Sequence, residues 1–193
     1  MKTGALRDVL VPRNAIVHPR DDPSGEGTFV GLEHIEPHTG RRIGSLPIRL
    51  EKLTGRKARF YGGDIVYGYL RPYLNKVWVA DFDGYCSVDQ YVFRPTEAVV
   101  AGFIAAFMRS PLFLESAPID ESPGQLPRIR LDEVLDVRVP LPPIEVQRRV
   151  ADDLSEQLGA IDRMSRDIEA QREAIGALPG ALLRRAFEAI DTA

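Results

Sequence analysis

In the last third of the chain, Leu154, Ile161, Ile168, Ile175 and Leu182 recur seven residues apart. That interval places all five on one stripe of a long α-helix, a seam that a partner helix can bury and that a single small domain rarely needs. Val150, Leu158, Met164 and Leu178 widen the stripe, while Ser165 and Arg172 interrupt it. The pattern predicts a helix from Ile144 to Leu178, broken at Pro179-Gly180, and then a last amphipathic segment from Ala181 to Ile190. Folding of this helix back onto its own body is the alternative that periodicity leaves open.

The residues before it predict a different kind of structure. Thr28 to Ile35, Asp64 to Leu70, Lys76 to Ala80 and Tyr91 to Arg94 are rich in β-branched and aromatic residues, with Asp81-Phe82-Asp83-Gly84 as a hairpin turn at or near the last two. Thr96 to Met108 shifts to helical period, Pro111 opens a short helix through Ser116, Leu131 to Leu135 suggests a helical turn, and Val137 to Val139 a short strand. The expected class is α+β: a mainly β body with short helices over 1–143, then a coiled-coil-type helical region over 144–193. The longest apolar run near the middle, Ala98 to Met108, is far short of the roughly 20 residues of a membrane span, and Met1 to Arg7 does not resemble a secretion signal. The one cysteine, Cys86, fits a reducing cytoplasm and reads as a small buried hydrophobe.

The net charge of −3 hides a strong asymmetry. Between Arg41 and Lys76 stand nine basic residues against two acidic ones, Glu51 and Asp64. A field of that sign can steer and hold a phosphate backbone, although a solvated surface paired with the acidic tail would look the same in composition. Among recognisable catalytic patterns, no phosphate-binding loop or dinucleotide fingerprint appears, and Gly62-Gly63 is explained as a turn. His34 and His38 are four apart, but Pro37 between them spoils the helix that would aim both imidazoles at one metal. No lysine follows a carboxylate by two residues, as a two-metal nuclease would want, and the only Pro-Pro, Pro142-Pro143, lacks the Asn/Asp and aromatic neighbours of an adenine methyltransferase loop.

Phe29 to Gly40, Gly63 to Lys76, Leu126-Pro127-Arg128-Ile129, Val139 to Val150 and Ala177 to Phe187 stand in this order along the chain. Together they resemble, in the family's order, the specificity subunits of type I restriction-modification enzymes. The resemblance implies one target recognition domain and one spacer helix, a unit that a full-length subunit carries twice and whose helices pack antiparallel to set the gap between half-sites. It also implies double-stranded DNA as ligand, an adenine methyltransferase (modification) subunit as partner, with or without a restriction subunit, and pairing as a homodimer or with a second half-specificity subunit. The chain itself is then expected to be non-catalytic and without cofactor, with S-adenosylmethionine, Mg and ATP only on partner subunits. Leu154 to Leu182 spans about 42 Å as a helix, on the order of one turn of duplex DNA.

On that reading, point charges at Arg41, Arg42, Lys52, Arg56, Lys57 and Lys76 are the candidates for phosphates. Planar or bidentate groups at Arg71, Tyr73, Asn75, Gln90, Gln125 and Arg128 are the candidates for base edges. Helix pairing falls to Leu154, Leu158, Ile161, Ile168, Ile175 and Leu182. Motifs shared by proteins with different targets cannot carry the difference, so target choice is expected in Arg41 to Arg59, Phe82 to Gln90 or Ser116 to Gln125. A helical protein-interaction scaffold without specific DNA binding is the competing reading, and a small enzyme of unfamiliar type a third.

Overall fold

The computed structural model describes residues 2–120, 122 and 124–191, so Glu121 and Pro123 of the stretch 116–125 and the last two residues of the predicted helical region lie outside it. In chain order the elements are β1 (Thr3–Ala5), β2 (Leu10–Pro12), β3 (Ile16–Val17), β4 (Glu26–Val30), β5 (Leu46–Arg49), β6 (Lys57–Phe60), β7 (Ile65–Gly68), β8 (Val77–Val79), β9 (Gly84–Ser87) and β10 (Gln90–Pro95). Then follow α1 (Ala101–Met108), α2 (Pro111–Ser116), α3 (Leu131–Asp136), β11 (Arg138–Pro140) and α4 (Ile144–Asp191). Chain contacts divide into a head, Met1–Asp152, and a stalk, Asp153–Ala193.

Strand β7 is buried at all four positions, which a sheet with one wet face does not allow. It lies in the middle layer of the head, in an antiparallel sheet of order β2-β10-β7-β8. On one side Ile65, Tyr67, Val77 and Phe93 pack with Phe103, Ile104, Met108 and Phe113 of α1 and α2. On the other side Val66, Trp78 and Val92 meet Val30, Ala58, Phe60 and Cys86 of a second sheet, of order β3-β6-β9-β4-β5. The period-2 alternation of β7, β8 and β10 thus feeds two cores at once, with Phe60 and Trp78 edge-to-face at 5.2 Å. Strands β1 and β11 pair antiparallel, tying Thr3 opposite Pro140 and closing the head on itself.

The α+β class holds, and three local expectations change. Asp81 to Gly84 is not a hairpin turn, because β8 pairs with β7 while β9 pairs with β6 and β4. This segment carries the chain from one sheet to the other, and Phe82 packs on Phe60 at 5.7 Å as it crosses. The strand expected to run to Ile35 ends at Val30, where a 3₁₀ turn over Leu32–His34 begins and the His34 Nδ1 accepts the Gly31 N–H. Finally, α4 runs through Pro179 without a break. A proline there removes one donor, that for the Ile175 carbonyl, and the flanking Ala, Leu and Arg residues are strong enough helix formers to carry the turn.

Helix α4 starts at Ile144, and its first two turns belong to the head, which the contacts end at Asp152. Gln147, 2% exposed, is the clasp. Its Oε1 accepts the Val100 N–H at 3.0 Å, and its Nε2 donates to the Pro142 carbonyl at 2.9 Å and the Ala98 carbonyl at 3.4 Å.

Candidate nucleic-acid interface

Strand β6 alternates Lys57-Ala58-Arg59-Phe60, and the pleat sends Ala58 and Phe60 into the core while the two cations stand on the opposite face of the sheet. The antiparallel register sets Arg59 opposite Tyr85 of β9, and the parallel one sets Tyr85 opposite Phe29 of β4. Cations and rings therefore meet across strands. The Arg59 guanidinium lies 4.9 Å from the Tyr61 ring centre and 6.0 Å from that of Tyr85, and the Lys57 ammonium 5.3 Å from Phe29. Gly27 makes room for Tyr85, since a side chain there would meet the tyrosine ring. Each such contact contributes about 0.5–1 kcal/mol at exposed sites.

Arg13, arriving from β2, covers Tyr61 at 4.5 Å. It is held there by Asp64, a buried carboxylate that accepts from the Arg13 Nε and from the Tyr61 N–H. The guanidinium is thus fixed by one ion pair, while its side chain stays one-quarter exposed.

A second group forms where two distant loops meet. The Arg71 N–H donates to the Pro127 carbonyl at 2.7 Å, the Ile129 N–H to the Tyr69 carbonyl at 3.2 Å, and Leu70 bridges to Arg128. These bonds bring Arg71 and the half-exposed Tyr73 into the same loop pair as Gln125 and Arg128, which are bonded to each other at 2.5 Å. Tyr69 stacks on Tyr91 with centroids 4.3 Å apart, and the Tyr91 hydroxyl donates to the Ile129 carbonyl. Burial pushes the Tyr91 phenol up to about 12, helped by Tyr69, Asp132 and Glu133. Tyr69 is raised as well, by burial and then Asp89, against the pull of Arg128 and Arg56. Both phenols therefore stay protonated and able to donate at neutral pH.

The six phosphate candidates separate into two sets. Arg41 grips Glu36 through two hydrogen bonds, at 2.7 and 3.1 Å, and with Thr39 it holds that carboxyl below its usual range. Arg42 donates to the Gly44 carbonyl and lies over Phe82, 3.8 Å from Asp81, and the Lys76 ammonium donates to the Leu32 carbonyl at 2.6 Å. These three fasten loops. Lys52 and Arg56 are exposed and, among the described residues, make no side-chain hydrogen bond or ion pair, while Lys57 there engages only a ring. Of the base-edge candidates, Asn75 is buried, left-handed at φ 54°, and donates to the Arg109 carbonyl. Gln90 is also buried, with its Oε1 accepting the Ser87 N–H at 3.1 Å.

The individual site candidates named from the sequence leave out Arg13, Arg59, Tyr61, Tyr69, Tyr85 and Tyr91, although Arg59 and Tyr85 fall in stretches expected to carry target choice. The alternation in β6 was a usable signal for Arg59; the others depend on pairing between strands far apart in sequence. Among the described residues no three His, Cys, Asp or Glu side chains are grouped to hold a metal ion, and no helix is long and apolar enough to cross a membrane. Cys86 is buried, and burial pushes its thiol up to about 12.

The stalk presents its own surface. Leu154, Ile161, Ile168, Ile175 and Leu182 are between 37% and 66% exposed, as are Met164 and Leu178 beside them, while Leu158 is less so.

No family model matches the chain. It is 31% identical over 154 residues to the type I restriction enzyme EcoDI specificity subunit of Escherichia coli, a match covering 80% of this chain and 34% of that protein. The chain thus spans about one third of the length of the curated relative it matches. The fold is shared with the crystal structure of the HsdS subunit from Thermoanaerobacter tengcongensis, at a TM-score of 0.76 and 22% identity over 89% of this chain and 46% of that one. A chain solved in work on complex assembly and conformational transition of the type I R-M system gives a TM-score of 0.72 and 24% identity, over 84% of this chain and 44% of that one.

Proposed function

The chain is a relative of type I restriction-modification specificity subunits, and from that premise we propose that its head reads one half-site of duplex DNA while its stalk pairs with a second such stalk. Chemistry is left to other polypeptides, an adenine methyltransferase first among them. The observation that carries the reading is the run of cation–ring contacts from Lys57 and Phe29 through Arg59, Tyr61 and Arg13, with the unpaired Arg56 nearby in sequence. Unpaired cations supply sequence-independent attraction to phosphates, and partly exposed rings and forked donors supply contacts to base edges. The cluster of Arg71, Tyr73, Gln125 and Arg128 offers a second set of such groups.

The stalk favours an antiparallel partner of its own kind. Centred on Ile168, an antiparallel copy sets Leu154 against Leu182 and Ile161 against Ile175, since each pair is equidistant from the centre. The same arrangement brings Asp152, Asp153 and Glu156 near the partner's end of the helix that carries Arg184 and Arg185, whereas a parallel copy sets like charge against like. Two recognition heads so spaced meet half-sites about one helical turn apart.

Selection of bound duplexes from a random pool, with and without a cognate methyltransferase, tests the reading. A bipartite consensus and an affinity that falls steeply with added salt are expected. Retention of no duplex under either condition, or binding to protein alone with no salt dependence, refutes it in favour of a helical scaffold.

A further inference from the structure

Where β2 leaves the first sheet and β3 enters the second, the head opens into a cavity of about 270 Å³. Its polar lining is Arg13, Asn14, Arg56 and Gln90; Ala58 and Val92 form an apolar floor, and Tyr91 stands as an aromatic wall. The cavity is at the small end of ligand sites, suited to one planar ring system and too small for a polynucleotide strand. Gln90 is 3% exposed, and because its Oε1 is committed to the Ser87 N–H, its other end, Nε2, is the donor. That Nε2 is buried with no partner. An amide left so is costly, by about 1–3 kcal/mol. Arg56 makes no hydrogen bond or ion pair of its own among the described residues, and Arg13 keeps its terminal nitrogens beyond the Nε bond to Asp64.

We propose that this cavity receives a single unstacked nucleobase, and that its chemistry selects guanine. The lining offers guanidinium donors from Arg13 and Arg56 at one ring-sized space, with Gln90 in the same lining. Guanine presents two adjacent acceptors, O6 and N7, that match a guanidinium fork, whereas adenine and cytosine place an amino donor on the corresponding edge. Extruding a base from a duplex costs a few kcal/mol, which an apolar floor, an aromatic wall and satisfied donors offset. The proposal rests on the reading that the head approaches DNA, and it adds that the head holds one base out of the stack.

The test is titration of the whole chain with dGMP, dAMP, dCMP, dTMP and inorganic phosphate, followed by NMR shifts and calorimetry, with duplex retention measured in parallel. Saturable binding of dGMP is expected, weakened at least about tenfold in Arg56→Ala. It should be lost in Val88→Trp, whose ring fills the cavity from the turn between β9 and β10. Both positions are outside the buried core, and unchanged thermal melting confirms that the variants fold. Equal shifts from phosphate and dGMP mean an anion site only and overturn the proposal. Equal affinity for all four nucleotides, or dGMP binding unaltered in both variants, also overturns it. Duplex retained with no nucleotide bound removes the pocket and leaves the proposed function standing; dGMP bound with no duplex retained refutes the proposed function and the extruded base with it.

Discussion

Tyr67 and Ile168 show what burial does in the two regions of this chain. Tyr67 is fully buried between a sheet and the helices that cover it, edge-to-face with Phe113 at 5.7 Å, and burial drives its phenol pKa upward. Ile168 is as apolar and stands 61% exposed on a helix whose other faces are also wet. The head completes its cores from its own residues. The stalk has the same kind of apolar material and nothing within itself to bury it against, since one helix cannot cover its own stripe. If the stalk pairs as proposed, its stability is tied to the concentration of its partner, while that of the head is not.

The comparison can be broken most sharply in the core. Phe60→Ala, which removes a ring packed on Trp78 and Phe82, should cost the head about 3–5 kcal/mol in urea unfolding and leave stalk association unchanged. Ile168→Asp is the converse experiment. In an antiparallel pair Ile168 meets its own copy, so two side chains are lost at once and the dimer should weaken by about 3 kcal/mol, more than a hundredfold in sedimentation equilibrium. Head melting stays where it was; a stalk that folds home would instead leave sedimentation untouched and shift the head.

Gln147→Leu examines the seam between the regions from the head's side. It leaves the Val100 N–H and the Ala98 and Pro142 carbonyls without their partner, and a loss of about 2 kcal/mol is expected in chemical denaturation of the head. Pro179→Ala restores the missing donor in the stalk. Far-UV circular dichroism should show a helix that melts later, stabilised by about 1 kcal/mol or more, because the proline costs up to about 3 in a helix interior and less near an end. The smallest effect belongs to Arg59→Ala. One fewer cation toward phosphate should reduce the slope of log affinity against log salt by about one, with little change in folding.

Much of this was legible in the residues. The seven-residue interval from Leu154 to Leu182 and the proline at the start of α2 announced their helices, and the β-branched and aromatic run at Ile65 to Gly68 announced its strand. The short, mixed strands were harder. Residues Gly84 to Ser87 carry glycine, cysteine and serine, and become β9 because β6 and β4 flank them. The candidate interface was legible by charge and not by geometry. The window Arg41 to Lys76 marked the cationic stretch, yet which cations are free was decided by Glu36, Asp81 and the Leu32 carbonyl, which engage Arg41, Arg42 and Lys76.

By itself the sequence determined the class of each region, since period and composition are local properties: a strand-rich body, a long helix and an unequal distribution of charge. Tertiary structure decided that β7 is buried on both faces, that Asp64 fixes Arg13 over Tyr61, and that loops near Arg71 and Arg128 meet. Those outcomes depend on contacts between residues up to about sixty positions apart in the chain, and such contacts are set by how layers pack rather than by any neighbour's propensity.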